Sequence, residues 1–214
     1  MHIYWYGQAC FKIQTDQTVI FTDPYNKEIG LTPPRTKANI VTISHNHEDH
    51  NNIDAVADEN SIVLNTPGEY DAKGVKVTGI ASFHDKKEGR EKGANTIFIF
   101  EAEDLRVCHL GDLGHMLSEE QVEQIGTIDI LLIPAGEGPT LSAKEAAEVV
   151  GEIEPKMIIP MHYKIPGLKY KFSEVDKFCK AMGIKKPGPQ EKILVKKKLL
   201  TADKTEVVIL KHLG

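Results

Sequence analysis

The stretch Ser44-His45-Asn46-His47-Glu48-Asp49-His50 sets three histidines and an aspartate within six residues, directly after the apolar run Ile40-Val41-Thr42-Ile43. Imidazole nitrogens combined with a carboxylate oxygen suit zinc, with manganese or iron as alternatives; calcium and magnesium prefer shells of oxygen. In an extended segment, side chains two residues apart project the same way, so His45 and His47 are expected to bite one cation together. Asp49 and His50 fall where the chain leaves the strand for a loop, and neighbouring positions there suit a second ion. A polar loop with scattered histidines is the plainer reading, but the density of ligand types at a strand end speaks against it.

Further candidates stand at the ends of other apolar runs. Asp23 follows Thr18 to Thr22, His84 ends Val75 to Phe83, Asp112 closes Leu105 to Gly111, and His162 closes Met157 to Met161. Strands that finish at a common edge would gather these groups at one rim. In this order the chain resembles the metallo-β-lactamase superfamily. Asp23 matches its first motif, His45, His47, Asp49 and His50 its second, His84 its third, Asp112 its fourth and His162 its fifth. Within it, Leu110-Gly111-Asp112 and Ile159-Pro160-Met161-His162-Tyr163 resemble the small branch that includes the L-ascorbate-6-phosphate lactonase. The resemblance implies two metals: one on His45, His47 and His84, the other on Asp49, His50 and His162, with Asp112 between them.

Two cations about 4 Å apart can share a water and lower its pKa from about 15.7 toward about 7, leaving a metal-bound hydroxide as nucleophile. Such a hydrolase would cleave a small ester, lactone or phosphorylated substrate, with Asp49 or Asp112 accepting the proton. No G-x-S-x-G stretch and no Cys-His pairing offers a rival nucleophile. Asp23 is expected to orient a ligand histidine through its other ring nitrogen. His109 reads as a supporting histidine, with proton donation as its alternative, and His115 as a leaving-group acid or substrate contact. Tyr163, beside His162, is a further substrate candidate. The loop from Asp85 to Gly93 carries Lys86, Lys87, Arg90 and Lys92 and reads as a solvated surface or as a clamp for an anionic substrate; Arg90 is its best candidate, because a guanidinium can grip two phosphate oxygens.

These groups need strands to carry them. Hairpin strands are expected at Ile3 to Tyr6 and Phe11 to Thr15, then Thr18 to Thr22, and a surface loop from Pro24 to Asn39. A short helix capped at Asn51-Asn52 should follow the histidine motif. Strands are then expected at Ile62 to Leu64, Tyr70 to Ala72, Val75 to Ala81, Thr96 to Phe100, Leu105 to Leu110, Asp129 to Ile133 and Met157 to Met161. Late strands should run from Ile193 to Leu199 and Glu206 to Leu210. Ser118 and Ser142 open capping boxes for two helices, and Val175, Phe178, Cys179 and Met182 mark the apolar face of a third. Strands before, between and after helices, in two similar halves, predict an α/β (α+β) four-layer αββα sandwich forming one domain over 1–214.

Composition narrows the partners. A 214-residue chain with a formal net charge of -5 offers no overall attraction to nucleic acid. Its lysines from Lys185 to Lys198 read as guards of an exposed sheet edge. Three scattered cysteines suggest neither a disulfide framework nor a thiolate metal site, and with no signal peptide or membrane span visible, a cytoplasmic setting is expected. Three other functions compete with a hydrolase of small molecules: a phosphodiesterase or nuclease, a non-catalytic metal-binding or regulatory module, and a di-iron redox protein.

Overall fold

The computed structural model describes residues 1–200 and 205–214. The first half of the chain forms β1 (His2–Gly7), β2 (Cys10–Gln14), β3 (Val19–Thr22), β4 (Ile40–Thr42) and β5 (Ile62–Leu64). Next come β6 (Gly68–Ala72), β7 (Val75–Phe83), β8 (Ala94–Ala102), β9 (Leu105–His109), α1 (Glu119–Ile125), β10 (Ile130–Pro134), α2 (Ala143–Ile153) and β11 (Met157–Met161). Helix α3 (Val175–Ala181) and the short strands β12 (Ile193–Leu194) and β13 (Glu206–Val207) follow.

Two mixed sheets result, ordered β12-β1-β2-β3-β4-β5 and β13-β11-β10-β9-β8-β7-β6. The predicted αββα sandwich is the observed architecture, with α1 against β7 and α2 against α3. Residue chemistry explains the layering. β1 alternates half-buried and buried positions, as a strand with one face on the core should, whereas every residue of β10 and β11 is buried, as parallel strands covered on both faces require. Trp5, Phe11, Phe21, Phe98 and Phe100 are among the largest fully buried side chains.

Strand direction does the work of collecting the site. β3 and β4 run parallel, so both end at one edge of the six-stranded sheet. β9, β10 and β11 are parallel, and β7 is related to β9 by two antiparallel steps, so β7, β9 and β11 also finish together. The Thr96 N–H donates to the Ser44 carbonyl (2.8 Å), joining the loop beyond β4 to the start of β8 and so bringing the two rims together.

Both capping boxes form. Ser118 Oγ accepts from Gln121 N while Gln121 Oε1 accepts from Ser118 N, and Ser142 and Glu145 exchange the same pair. Other expectations need correction. After Asn52 there is only a 3-10 turn, Ile53–Ala55, because the Asn52 side chain donates to the Tyr25 carbonyl (3.0 Å) instead of capping a helix. The expected strand from Ile193 stops at Leu194 and gives way to a 3-10 turn, Lys197–Leu199. There Lys197 turns to the buried carboxylate of Asp129 (2.7 Å), which also takes the Arg106 N–H and Lys156, so this lysine serves an interior charge and not a sheet edge. The last expected strand is likewise shorter, Glu206–Val207.

The stretch from Pro24 to Asn39 is not a surface excursion. Tyr25, Ile29, Leu31 and Ala38 are buried, and the Tyr25 hydroxyl donates to the Tyr6 carbonyl at 2.6 Å, with the Thr32 carbonyl at 3.0 Å. Tyr25→Phe should therefore destabilise the fold by ~1 kcal/mol in urea unfolding, since it strips a buried carbonyl of its donor. An unchanged midpoint would mean that this segment only lies on the surface.

Candidate metal centre

Each ligand candidate stands just beyond a strand: Asp23 after β3, His45 to His50 after β4, His84 after β7, Asp112 after β9 and His162 after β11. The histidine motif is not itself extended, since β4 ends at Thr42 and residues 48–50 form a turn closed by His50 N–H to the His47 carbonyl (2.9 Å). His45 and His47 nevertheless converge, their ring centroids 4.5 Å apart, through loop geometry instead of strand alternation.

One ligand atom each from His45, His47 and His84 lies within 4.8 Å of the others, and so do one each from Asp49, His50 and His162. Between these groups lies Asp112, whose Oδ2 is 3.1 Å from His162 Nε2, 3.3 Å from His84 Nε2 and 3.5 Å from His50 Nε2. His45, His50, His84, Asp112 and His162 are all buried, while His47 is exposed and marks the open side. Among the described residues, His45 Nε2, His50 Nε2, His84 Nδ1, Asp112 Oδ1 and His162 Nδ1 find no hydrogen-bond partner. Orphaned polar atoms cost ~1–3 kcal/mol each when buried, so the unpartnered Nε2 atoms of His45 and His50, beside His84 and His162 rings that set Nε2 against Asp112, fit a set of donors built for cations.

A third grouping, Asp23 with His45 and His50, is a support and not a third metal position. The Asp23 carboxylate already accepts Ser44 N (2.7 Å), Ser44 Oγ (2.6 Å) and His50 Nδ1 (3.0 Å). Because the single Ser44 hydroxyl proton goes to Asp23, its oxygen accepts from His45 Nδ1 at 2.9 Å. Both histidines therefore carry their neutral-state proton on Nδ1 and turn Nε2 lone pairs toward the cluster.

Protonation follows burial and neighbouring charge. Burial pushes His45 down to about 3, with His50 nearby adding to the effect, so it stays neutral and able to ligate. His84 is lowered by burial against an opposing pull from Asp112. Burial alone would raise Asp112 and Asp49, but the facing histidines, His162 first for Asp112 and His50 first for Asp49, hold both carboxyls below their ordinary range. His50 is the exception. Burial would lower it, yet the carboxylates of Asp112, Asp23 and Asp49 push it well above the usual histidine value.

Other candidates are placed elsewhere. His109 is fully buried, its Nε2–H donating to the Ala9 carbonyl (2.8 Å) and its ring edge on Phe11, so it braces one sheet against the other. Both His115 nitrogens are engaged on backbone: Nε2 accepts from Phe83 N (3.1 Å), and Nδ1–H donates to the Met116 carbonyl (2.7 Å). This leaves it no free proton for a leaving group. Tyr163 is buried against Trp5, ring centroids 4.9 Å apart, and so belongs to the core. Arg90 pairs with Glu88 (3.2 Å) with 77% of its side chain exposed, while Lys86 pairs with Glu145 and Lys87 with Glu91. The loop they occupy is folded around Asp85, whose carboxylate accepts the N–H groups of Lys87, Gly89, Glu91 and Lys92. Those four donors overcome burial and lower its carboxyl to about 2.

Sequence reasoning missed several neighbours. Asn95, buried within β8, accepts from the Asp112 N–H (2.9 Å) and donates to Ser82 Oγ and the Leu110 carbonyl. Phe172 lies on the His162 ring (centroids 4.4 Å apart), and Tyr170 on Phe172, 42% exposed and close enough to Asp49 and Glu48 for both carboxylates, with burial, to raise its phenol. Gln8 donates to Asp49 Oδ2 (3.0 Å). Two glycines allow the close approach of loops: a Cβ on Gly136 would stand 2.0 Å from the His162 carbonyl oxygen, and one on Gly114 2.4 Å from that of His84. No local pattern signals these, apart from glycines at positions a loop could equally have tolerated.

A sandwich that delivers paired metal groups to one shared rim is the architecture of binuclear metal-dependent hydrolases, and this chain is one of that class. Residues 2–162 match the family described as the beta-lactamase superfamily domain. A UPF0173 protein of Pyrococcus abyssi is 32% identical over 76% of this chain and 83% of its own. A UPF0173 metal-dependent hydrolase of Methanopyrus kandleri is 26% identical over 76% of this chain and 84% of its own. A crystal structure from Thermotoga maritima, of a candidate Zn-dependent hydrolase of the metallo-β-lactamase superfamily, superposes with a TM-score of 0.78 at 36% identity, covering 98% of this chain and 99% of that one. The chain belongs to the metallo-β-lactamase superfamily, among its UPF0173-like metal-dependent hydrolases.

Two measurements probe the centre. Asp23→Asn replaces an acceptor of three hydrogen bonds with a neutral amide, and should lower metal affinity about 10- to 100-fold in competition with a chromophoric chelator, whereas Ser44→Thr, which keeps the hydroxyl, should not. The carboxylates of Asp112, Asp23 and Asp49 raise the His50 pKa, so metal uptake there should expel a proton. Affinity at the second group should rise about tenfold per pH unit until the pH passes that pKa, with about one proton released in calorimetry across buffers of different ionisation heat. A pH-independent affinity would contradict the charge state assigned to His50.

Proposed function

We propose that residues 1–214 act as one hydrolase domain that cleaves a small carboxylic ester or lactone, phosphorylated or not, with two divalent transition metals, zinc first. The position of Asp112 carries this reading: one carboxylate oxygen within 3.5 Å of histidine nitrogens from both groups is suited to bridge two ions. His45, His47 and His84 would hold one, and Asp49, His50 and His162 the other. Bound there, the pair would supply an acidified water as nucleophile at neutral pH and a Lewis acid for the scissile group.

The chain's own residues do the rest. Asp49, with 16% of its side chain exposed against 2% for Asp112, is the carboxylate better placed to take a proton from the nucleophile and pass it to solvent. Phe172 and Tyr170 offer an apolar wall beside His162 for the organic part of a substrate. Lys86, Lys87 and Arg90 of the 85–93 loop are exposed and paired with glutamates, which gives little support to a phosphate clamp, and the likeness to the ascorbate-phosphate lactonase branch rests on short motifs alone. Three buried free cysteines accord with a reducing cytoplasmic setting.

A panel of lactones, simple esters, phosphorylated lactones, phosphodiesters, cyclic nucleotides and short RNA, assayed with zinc, manganese and iron forms, tests the proposal. Lactones or esters should give the highest kcat/KM, and preference for phosphodiesters or RNA would replace this reading. Asp112→Ala should reduce every activity to background, while alanine at Cys10, Cys108 or Cys179 should largely preserve it. Arg90→Ala should leave KM for charged and uncharged members within about twofold of wild type, as expected for an exposed pair.

A further inference from the structure

Gln8 occupies the turn between β1 and β2, far in sequence from every metal ligand, yet it touches two of them. It is fully buried, and its backbone is left-handed, with φ of 48°. Its Nε2–H donates to Asp49 Oδ2 (3.0 Å), and its main-chain carbonyl lies 3.2 Å from the His162 N–H and 2.9 Å from the Trp5 indole N–H. Asp49 and His162 belong to the same metal group, and no contact of this kind joins Gln8 to His45, His47 or His84 among the described residues.

Three features point past simple packing. Glycine adopts a left-handed backbone more readily than any residue with a side chain, so a glutamine there must return something through its amide. The Gln8 amide meets Asp49 Oδ2 at 3.0 Å, shorter than the 3.4 Å from His50 Nε2, and so fixes a side chain that otherwise projects from a loop turn at the open face. The amide is also neutral, so it orients a carboxylate without cancelling the charge that a cation needs.

We propose that Gln8 is the positioning residue of the second metal group, holding Asp49 by its side chain and the His162 strand end by its backbone, so that it governs whether the protein carries one metal or two. This rests on the binuclear reading above. Gln8→Glu is the sharp variant, because it keeps the shape of the side chain but faces Asp49 with a second carboxylate in place of a donor. Gln8→Ala removes the side chain altogether.

The test is zinc stoichiometry by elemental analysis and stepwise affinity by calorimetry, with visible absorption of the cobalt-substituted protein reporting each site. Wild type should take two metals. Gln8→Glu and Gln8→Ala should weaken the step that fills the Asp49, His50 and His162 group about 10- to 100-fold, while the step that fills the His45, His47 and His84 group stays within about twofold. In an Asp49→Asn background, Gln8→Glu should add little, since its target charge is gone. Equal weakening of both steps, or unchanged binding at the Asp49, His50 and His162 group in Gln8→Glu, would overturn the proposal, as would failure of both Gln8 variants to fold, which would make the residue structural. A wild-type protein that never exceeds one metal would instead sink the binuclear reading itself, and the control shows which of the two has failed.

Discussion

The buried carboxylate of Asp23 is the constraint on which the centre depends. With no exposure to water it must find its donors inside the protein, and it finds them in the main chain and hydroxyl of Ser44 and in the ring of His50. Those bonds fasten the end of β3 to the end of β4, in a left-handed backbone at Asp23 itself. They also decide which nitrogen of His45 and of His50 is free. A single ionised group thus sets both a loop conformation and the tautomers of two ligands, and replacing the Ser44 hydroxyl would break the relay to His45 while leaving the one to His50.

The second requirement is that two rims meet. Direction of strand pairing brings each ligand to the correct edge, and the shared apolar core together with cross-sheet bonds such as Thr96 N–H to the Ser44 carbonyl and His109 to the Ala9 carbonyl brings the edges to one another. His109 therefore serves the centre from a distance: its ring is lowered by burial and stays neutral, giving one donor to the facing sheet. Left-handed backbone recurs at Gln8, Asp23 and His162, three positions around the cluster. Strain of this kind persists only where the surroundings over-determine it, and here the surroundings are the two packed sheets.

Ligand types and strand ends were legible in the sequence because both are local: a run of apolar residues closing on His or Asp carries its own signal. Capping boxes at Ser118 and Ser142 were legible for the same reason. Tertiary partners were not. Arg90 and His115 have the right chemistry near the right histidines, but Arg90 pairs with its neighbour Glu88 and His115 spends both nitrogens on backbone. Tyr163 follows a ligand directly, yet the left-handed turn at His162 comes between them and Tyr163 lies on Trp5. Conversely, Gln8, Asn95 and Phe172 lack any pattern, since each acts through a residue ten or more positions away. The late lysines show the same limit: Lys197 looks like an edge guard until Asp129 is seen to be buried beneath it.

Charge within the centre bears on the substrate more directly than the surface does. Asp23, Asp49 and Asp112 bring three carboxylates to a largely buried region where His45 and His84 are held neutral. Without cations these negative charges are balanced in part by protonation of His50. Two divalent ions would set four positive charges against three carboxylates and a bound hydroxide, close to neutrality, in surroundings where water screens poorly. Ions held there would stabilise negative charge developing on a carbonyl or leaving-group oxygen through their proximity. The aromatic rings of Phe172 and Tyr170 border this cluster at His162, whereas Lys86, Lys87 and Arg90 of the 85–93 loop spend their charge on Glu145, Glu91 and Glu88.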